Sequence, residues 1–230
     1  MLQFMQEGEY TERALVIGAT GGIGAAIALE FKGRGAQVTR LSKSENGLDL
    51  TRQDTVDDIL GRLEGPFDTI VIASGILAPK GMTPEKSLSA INASAMSDVF
   101  AANAIGPALV LRHVPRLLPK SGRSVTAVLT ARVGSIGDNE LGGWYSYRAS
   151  KAAANQIVRT AAIEIGRKRK DAVVVALHPG TVATPFTEGY SGHQKQSPAE
   201  AAKNLLGVLD GLTAAQSGAF FDWAGKPVVW

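Results

Sequence analysis

Ala14-Leu-Val-Ile-Gly-Ala-Thr-Gly-Gly-Ile-Gly-Ala-Ala-Ile-Ala-Leu-Glu-Phe31 begins as an apolar run, passes through a cluster of glycines and leaves it in a helical pattern. A continuous apolar run is the signature of a strand buried on both faces. The stretch therefore reads as a strand near 13–17, a glycine turn and a helix over 22–33. In the spacing Gly18-x-x-x-Gly22-x-Gly24, Gly18 permits a tight turn, Gly22 lets a backbone approach a diphosphate, and Gly24 lets the helix pack closely on the strand. The diphosphate would sit at the helix N-terminus, where free N–H groups and the helix dipole favour an anion. Thr20 and Ile23, inside the same turn, join the glycines as candidate ligand contacts.

Outward from this turn, strands are expected near 36–41, 46–50, 68–73, 123–130, 172–178 and 218–222. Helices alternate with them near 52–63, 95–117, 146–167 and 198–210. Alternation of this kind predicts an α/β fold: a doubly wound parallel sheet of about seven strands with helices on both faces. It forms one domain over 1–230, with 1–12 as a flexible extension. Ligands of such sheets bind beyond the carboxyl ends of the strands. Gly18, Ser74, Ser135 and Gly180 all fall at such ends and point to one shared site.

Tyr147 and Lys151 stand four residues apart in Tyr147-Arg-Ala-Ser-Lys151. On a helix they share a face. A phenol with a pKa of about 10 is a poor acid at neutral pH, and a neighbouring cation favours the phenolate. Tyr145 has Ala149 at the corresponding position and lacks this partner.

The glycine turn and the Tyr147/Lys151 pair together make the chain resemble the short-chain dehydrogenase/reductase family along nearly its whole length, and most of all its small bacterial C-factor-like members. The resemblance implies that Asn103 helps place the lysine and a proton-relay water. It implies that His178-Pro-Gly-Thr-Val-Ala-Thr184 holds a nicotinamide carboxamide through Pro179, Gly180, Val182 and Thr184, and that Asp49 and Leu50 contact adenine. Ala73, Ser74 and Gly75 would let the cofactor pass close to the backbone, with Asn103, Tyr147 and Lys151 completing its site. The sequence departs from the family pattern at Ile17, where a threonine is usual, and at Ile72-Ala-Ser-Gly75. It also departs at Ala131, which occupies the usual place of the catalytic serine. Ser135 is the favoured replacement hydroxyl and Thr130 the second choice.

At the end of the second strand, family members that prefer NAD commonly carry an aspartate where this chain has Ser42. Arg40 and Lys43 flank it, and two cations suit a 2′-phosphate. NADP is therefore expected in preference to NAD.

Composition narrows the remaining classes. With 230 residues and 45% hydrophobic content, one large domain fits better than two small ones. The absence of cysteine excludes disulfides, thiol nucleophiles and thiolate metal sites. His113, His178 and His193 lack metal-ligand spacing, so no metal is expected. A net charge of only +3, with the basic run Arg167-Lys-Arg-Lys170 at a helix end, argues against a nucleic-acid partner. Glu7, Glu9 and Glu12 leave no signal-peptide pattern, and the apolar stretch 14–29 belongs to the nucleotide turn, so a cytoplasmic protein without a membrane partner is expected. The resemblance implies reduction of a ketone or aldehyde, reversibly, in a homodimer or homotetramer built on the helices near 95–117 and 146–167. The competing reading is a nucleotide-binding regulatory or signalling protein with little turnover, which fold alone does not reject.

Overall fold

Strand β1 (Arg13–Ile17) lies second from one edge of the sheet, between the edge strand β2 (Gln37–Leu41) and β3 (Thr69–Ile72). The computed structural model describes residues 11–189 and 194–230. The sheet continues through β4 (Ser124–Leu129) and β5 (Ala172–His178) to β6 (Phe220–Asp222), all parallel, in the order β2-β1-β3-β4-β5-β6. Every residue of β3 and β4 is buried, as their apolar runs require.

Helix α1 (Gly22–Gly33) follows β1, and its Ile27 and Phe31 join Leu205, Leu206 and Leu209 of α8 (Pro198–Gly211) over one face of the sheet. That face presents Ala14, Val16, Ala127, Leu129 and Leu177. The opposite face, with Leu15, Ile17, Val128 and Ala176, is covered by α3 (Gln53–Arg62), by helices in 93–117 and by α7 (Tyr145–Lys168). Burying each such Leu or Ile is worth about 1.5–3 kcal/mol, so alternate strand residues fix the sheet to both helical layers.

Two expectations need correction. Among the described residues the sheet has six strands, not seven, because 46–50 is not one of them. Ser42 instead caps a single helical turn, α2 (Lys43–Asn46), its Oγ accepting the Glu45 N–H at 3.1 Å, and the turn ends at Gly47 with φ +74°. The local capping pattern Ser42-x-x-Glu45 outcompeted a strand pattern that came only from Leu48 and Leu50. Both leucines are buried all the same, as anchors of a loop.

The helix expected over 95–117 is divided into α4 (Ala93–Phe100), a wide π turn over Ala101–Ile105, α5 (Gly106–Leu111) and α6 (Val114–Leu117). Pro107, at the start of α5, has no N–H to give the preceding turn, and a π turn absorbs the mismatch. Asn103 lies in that turn, buried. Of the expected extension, Glu12 is tied to the sheet: its carbonyl accepts the Gln37 N–H at 2.8 Å and its carboxylate the Thr69 hydroxyl at 2.7 Å. The rest of that expectation, residues 1–10, and His193 lie outside the described residues.

Candidate active site

Gly18 turns the chain out of β1 with φ +83°, and a Cβ there would come within 2.7 Å of the Ala73 carbonyl oxygen. One on Gly24 would overlap the Gly18 carbonyl oxygen, so the turn closes on bare backbone. A Cβ on Gly22 would lie 2.5 Å from Thr184 Cγ2. The glycine turn and the loop after β5 thus face each other across a space only glycine leaves open. Helix α1 is preceded by Gly21 at its N-cap, which offers no side-chain cap, and has no acidic residue in its first turn. Such an end suits a diphosphate. The donor set and the cradle fit a dinucleotide.

At the neighbouring strand end, Arg40 Nη2 lies 3.1 Å from the Ala19 carbonyl and 3.0 Å from Glu45 Oε1. Lys43 Nζ is paired with Asp49 at 2.6 Å. Both cations expected to meet a phosphate therefore already hold carboxylates. Asp49 is pulled down to about 2: burial would raise it, but the Lys43 and Thr51 hydrogen bonds outweigh that. Ser42 is buried as a cap, while Ser44, overlooked in the sequence, reaches Thr20 Oγ1 at 3.1 Å. Leu50 packs into the core beside Gly106. The Ser42-x-x-Glu45 spacing was the available signal for Glu45.

Tyr147 stands in the first turn of α7 and is 6% exposed. The Lys151 Nζ lies 5.8 Å from its ring centroid and donates to the Leu129 carbonyl at 3.0 Å. Burial lowers the Lys151 pKa from 10.5 to about 8. Asn103 binds the backbone of Ile76 twice, its Oδ1 accepting the N–H at 2.7 Å and its Nδ2 donating to the carbonyl at 2.8 Å. The same amide donates to Ser150 Oγ at 3.0 Å, and Ser150 donates to the Tyr147 carbonyl at 2.8 Å. Gly75 passes between them: a Cβ there would stand 2.9 Å from Asn103 Oδ1 and 3.2 Å from Lys151 Nζ. The π turn, the end of β3 and the first turns of α7 so converge on one point. The two-sided clamp on Ile76 was not legible from sequence.

The hydroxyl candidates separate. Ala131 is extended and buried at the end of β4. Alternation puts Thr130 on the face of Thr126 and Val128, toward α7, and its Oγ1 is buried without a hydrogen-bond partner among the described residues. Ser135 closes a short 3-10 turn over Arg132–Gly134, and its Oγ accepts the Asp138 N–H at 3.1 Å, leaving its own proton to give.

At the end of β5, His178 is held neutral, its pKa lowered to about 4 by burial and by Arg132, against the pull of Asp222. Gly180 has φ +77°, and Gln196, absent from the sequence reading, donates to the Pro179 carbonyl at 2.6 Å. Val182 pairs with Gln196, and Thr184 starts a short turn whose Phe186 ring lies 5.9 Å from that of Tyr147. Trp144 approaches the same phenol edge-on at 6.0 Å. Aromatic rings from two loops therefore flank the candidate proton donor.

Comparison with known proteins agrees with this geometry. Residues 47–210 match the family model described as enoyl-(acyl carrier protein) reductase. The 1-hydroxy-2-glutathionyl-2-methyl-3-butene dehydrogenase of Rhodococcus sp. (strain AD45) is 31% identical over 230 residues, covering 94% of this chain and 98% of that one. The C-signal of Myxococcus xanthus is 34% identical over 167 residues, covering 72% of this chain and 94% of that protein. Among solved structures, the NADPH-bound carbonyl reductase from chicken fatty liver superposes with a TM-score of 0.81 at 23% identity, over 96% of this chain and 94% of that one. A short-chain dehydrogenase/reductase from Burkholderia multivorans with bound NADP gives a TM-score of 0.79 at 24% identity, over 96% of this chain and all of that one.

Proposed function

The chain belongs to the short-chain dehydrogenase/reductase family of oxidoreductases, and from that premise we propose that it is an NADPH-dependent reductase of a ketone or aldehyde. The observation that carries the reading is the convergence of Tyr147, Lys151 and Asn103 beside Gly75. NADP-bound and NADPH-bound structural neighbours and the cations Arg40 and Lys43 support the choice of cofactor. Gly18, Thr20, Gly22, Ile23 and Gly24 would hold its diphosphate. Arg40, Ser42 and Lys43 would meet the adenosine phosphate, and Asp49 and Leu50 would border the adenine. Ala73, Ser74 and Gly75 would line its path, and Pro179, Gly180, Val182 and Thr184 would fix the nicotinamide end.

When bound, the cofactor supplies a hydride to the carbonyl carbon. Tyr147 gives its proton to the carbonyl oxygen. Lys151 favours the resulting phenolate and would hold the nicotinamide ribose, while Asn103 would position a relay water. Ser135 donates to the developing oxyanion. The same reading makes the protein a cytoplasmic homodimer or homotetramer joined through α4, α5 and α7. Ile105, in the π turn between α4 and α5, and Ile163, on α7, both about half exposed, support such an interface, whereas Ala154 and Ala162 are buried within the chain itself.

The test is NADPH oxidation over a panel of ketones and aldehydes, run beside a cofactor-binding titration, on the parent and on Tyr147→Phe. The parent should turn over members of the panel, and the variant should bind NADPH yet lose about 10²- to 10⁴-fold in rate. Tight binding without turnover across the panel would instead support the regulatory reading.

A further inference from the structure

Helix α7 carries both Tyr147 and Lys151, yet its own sequence does not secure its first turn. It starts from Trp144 in the left-handed region, at φ +53°, with no side-chain cap from that residue and no acidic residue in its first turn. The missing partners come from another part of the chain. The Glu85 carbonyl accepts the Trp144 N–H at 2.5 Å, and the Glu85 carboxylate accepts both the Ser146 N–H, at 3.2 Å, and the Ser146 hydroxyl. One residue thus satisfies three donors on the two residues that immediately surround the start of the helix, next to Tyr147.

We propose that Glu85 is a positioning residue, a latch by which the loop after β3 holds the first turn of α7 and with it the phenol of Tyr147. The inference rests on the proton-donor reading of Tyr147 given above. Free N–H groups at a helix start fray unless something accepts from them, and an accepting side chain removes that freedom. Here the accepting group is far away in sequence, so the loop and the helix move as one body. A cavity of about 240 Å³ adjoins the latch, lined by Leu77, Met82, Pro84, Ala95 and Val99, with Glu85 and Ser146 also in its wall. Lys86, next in the chain, points its charge to solvent, and Arg148 is occupied by the carbonyls of Gly142 and Gly143, so neither competes for the Glu85 carboxylate.

The experiment compares parent, Glu85→Ala, Glu85→Gln, Ser146→Ala and Tyr147→Phe, each as the full chain, by two readouts. Hydrogen exchange of the amides of Tyr145 to Arg148 should speed up about tenfold in Glu85→Ala. With NADPH and para-nitrobenzaldehyde as probe, its kcat should fall about tenfold while the NADPH Kd stays within about twofold, because a displaced acid slows proton transfer without touching the cofactor cradle. Glu85→Gln, whose amide oxygen still accepts the Ser146 N–H, should return both readouts most of the way. Ser146→Ala, which loses the hydroxyl bond but keeps the bond from the Ser146 N–H to the Glu85 carboxylate, should fall between. Parental exchange rates in Glu85→Ala would overturn the latch whatever the kinetics. Faster exchange with unchanged kcat would overturn its positioning role. A Tyr147→Phe variant as fast as the parent would instead remove the proton-donor reading, and the exchange data would still decide whether the latch exists.

Discussion

The ammonium of Lys151 donates to the carbonyl oxygen of Leu129 at 3.0 Å, so the last residue of β4 anchors the cation that stands beside Tyr147. The anchor is backbone, which leaves the position of the charge independent of the side chains that follow the strand. Ala131 can differ from the family pattern without displacing it.

Holding that cation away from water has a cost. The Lys151 pKa is lowered from 10.5 to about 8 by burial, so between those values the unfolded chain binds more protons than the folded one, and stability rises with pH across that window. Lys151→Met should therefore raise the melting temperature at neutral pH, with a gain on the order of 1–3 kcal/mol, while turnover drops at least about 10²-fold. In the parent, kcat/KM for reduction should decline as pH rises through about 8, where the ammonium is lost. A Lys151→Met protein less stable than the parent would contradict the desolvation argument.

Arg40 is held by Glu45 and Lys43 by Asp49. A 2′-phosphate must replace these carboxylates or share their cations. Neutralising Arg40 and Lys43 together should weaken NADPH binding by at least about tenfold and leave NADH nearly unchanged. Glu45→Gln should act in the opposite direction and tighten NADPH. Titrations by fluorescence would check both, and equal losses for the two nucleotides would sink the assignment.

Ser135 keeps a free hydroxyl proton, whereas Thr130 faces α7. Ser135→Ala should reduce kcat by about 10²- to 10³-fold with NADPH affinity unchanged, the loss typical of one oxyanion donor. Thr130→Val, which fills the same volume and removes a buried hydroxyl without a partner among the described residues, should leave kcat close to that of the parent. The reverse ranking in parallel kinetics would move the role to Thr130.

His178 gives an acid-side prediction. Its pKa is lowered from 6.5 to about 4 by burial first and Arg132 second, so stability falls as pH drops from about 6.5 toward 4, where the unfolded chain binds the extra proton. Urea midpoints for His178→Gln should show a shallower decline over that interval. An unchanged slope would mean that other groups govern it.

The legible parts of the chain are those whose pattern is local. Continuous apolar runs such as Thr69–Ile72 marked the strands, and the glycines of the first turn marked the crossing of backbone on backbone. Tyr147 and Lys151 were readable because helical spacing alone sets their relation. The strand expected at 46–50 failed because alternating leucines satisfy a buried loop as well as a strand, and the Ser42 cap decides between them. Glu85, Gln196 and the Ile76 clamp were invisible for another reason: each joins segments brought together only by the fold, and a lone glutamate or glutamine carries no mark of its distant partner.

The π turn has a consequence for how the chain can vary. Ala95, Val99, Asn103, Pro107 and Leu111 recur every four residues and all five are buried, a beat too slow for an unbroken α-helix, whose faces return every 3.6 residues. One widened turn resets the phase, so a single stripe stays inward through the whole passage. Loss of any one residue between Val99 and Pro107 would turn everything beyond it by about 100° and carry Asn103 or the Val110 seam out to water. The length of this passage is then as strictly set as any side chain in the site, and insertions or deletions there should be tolerated only in compensating pairs.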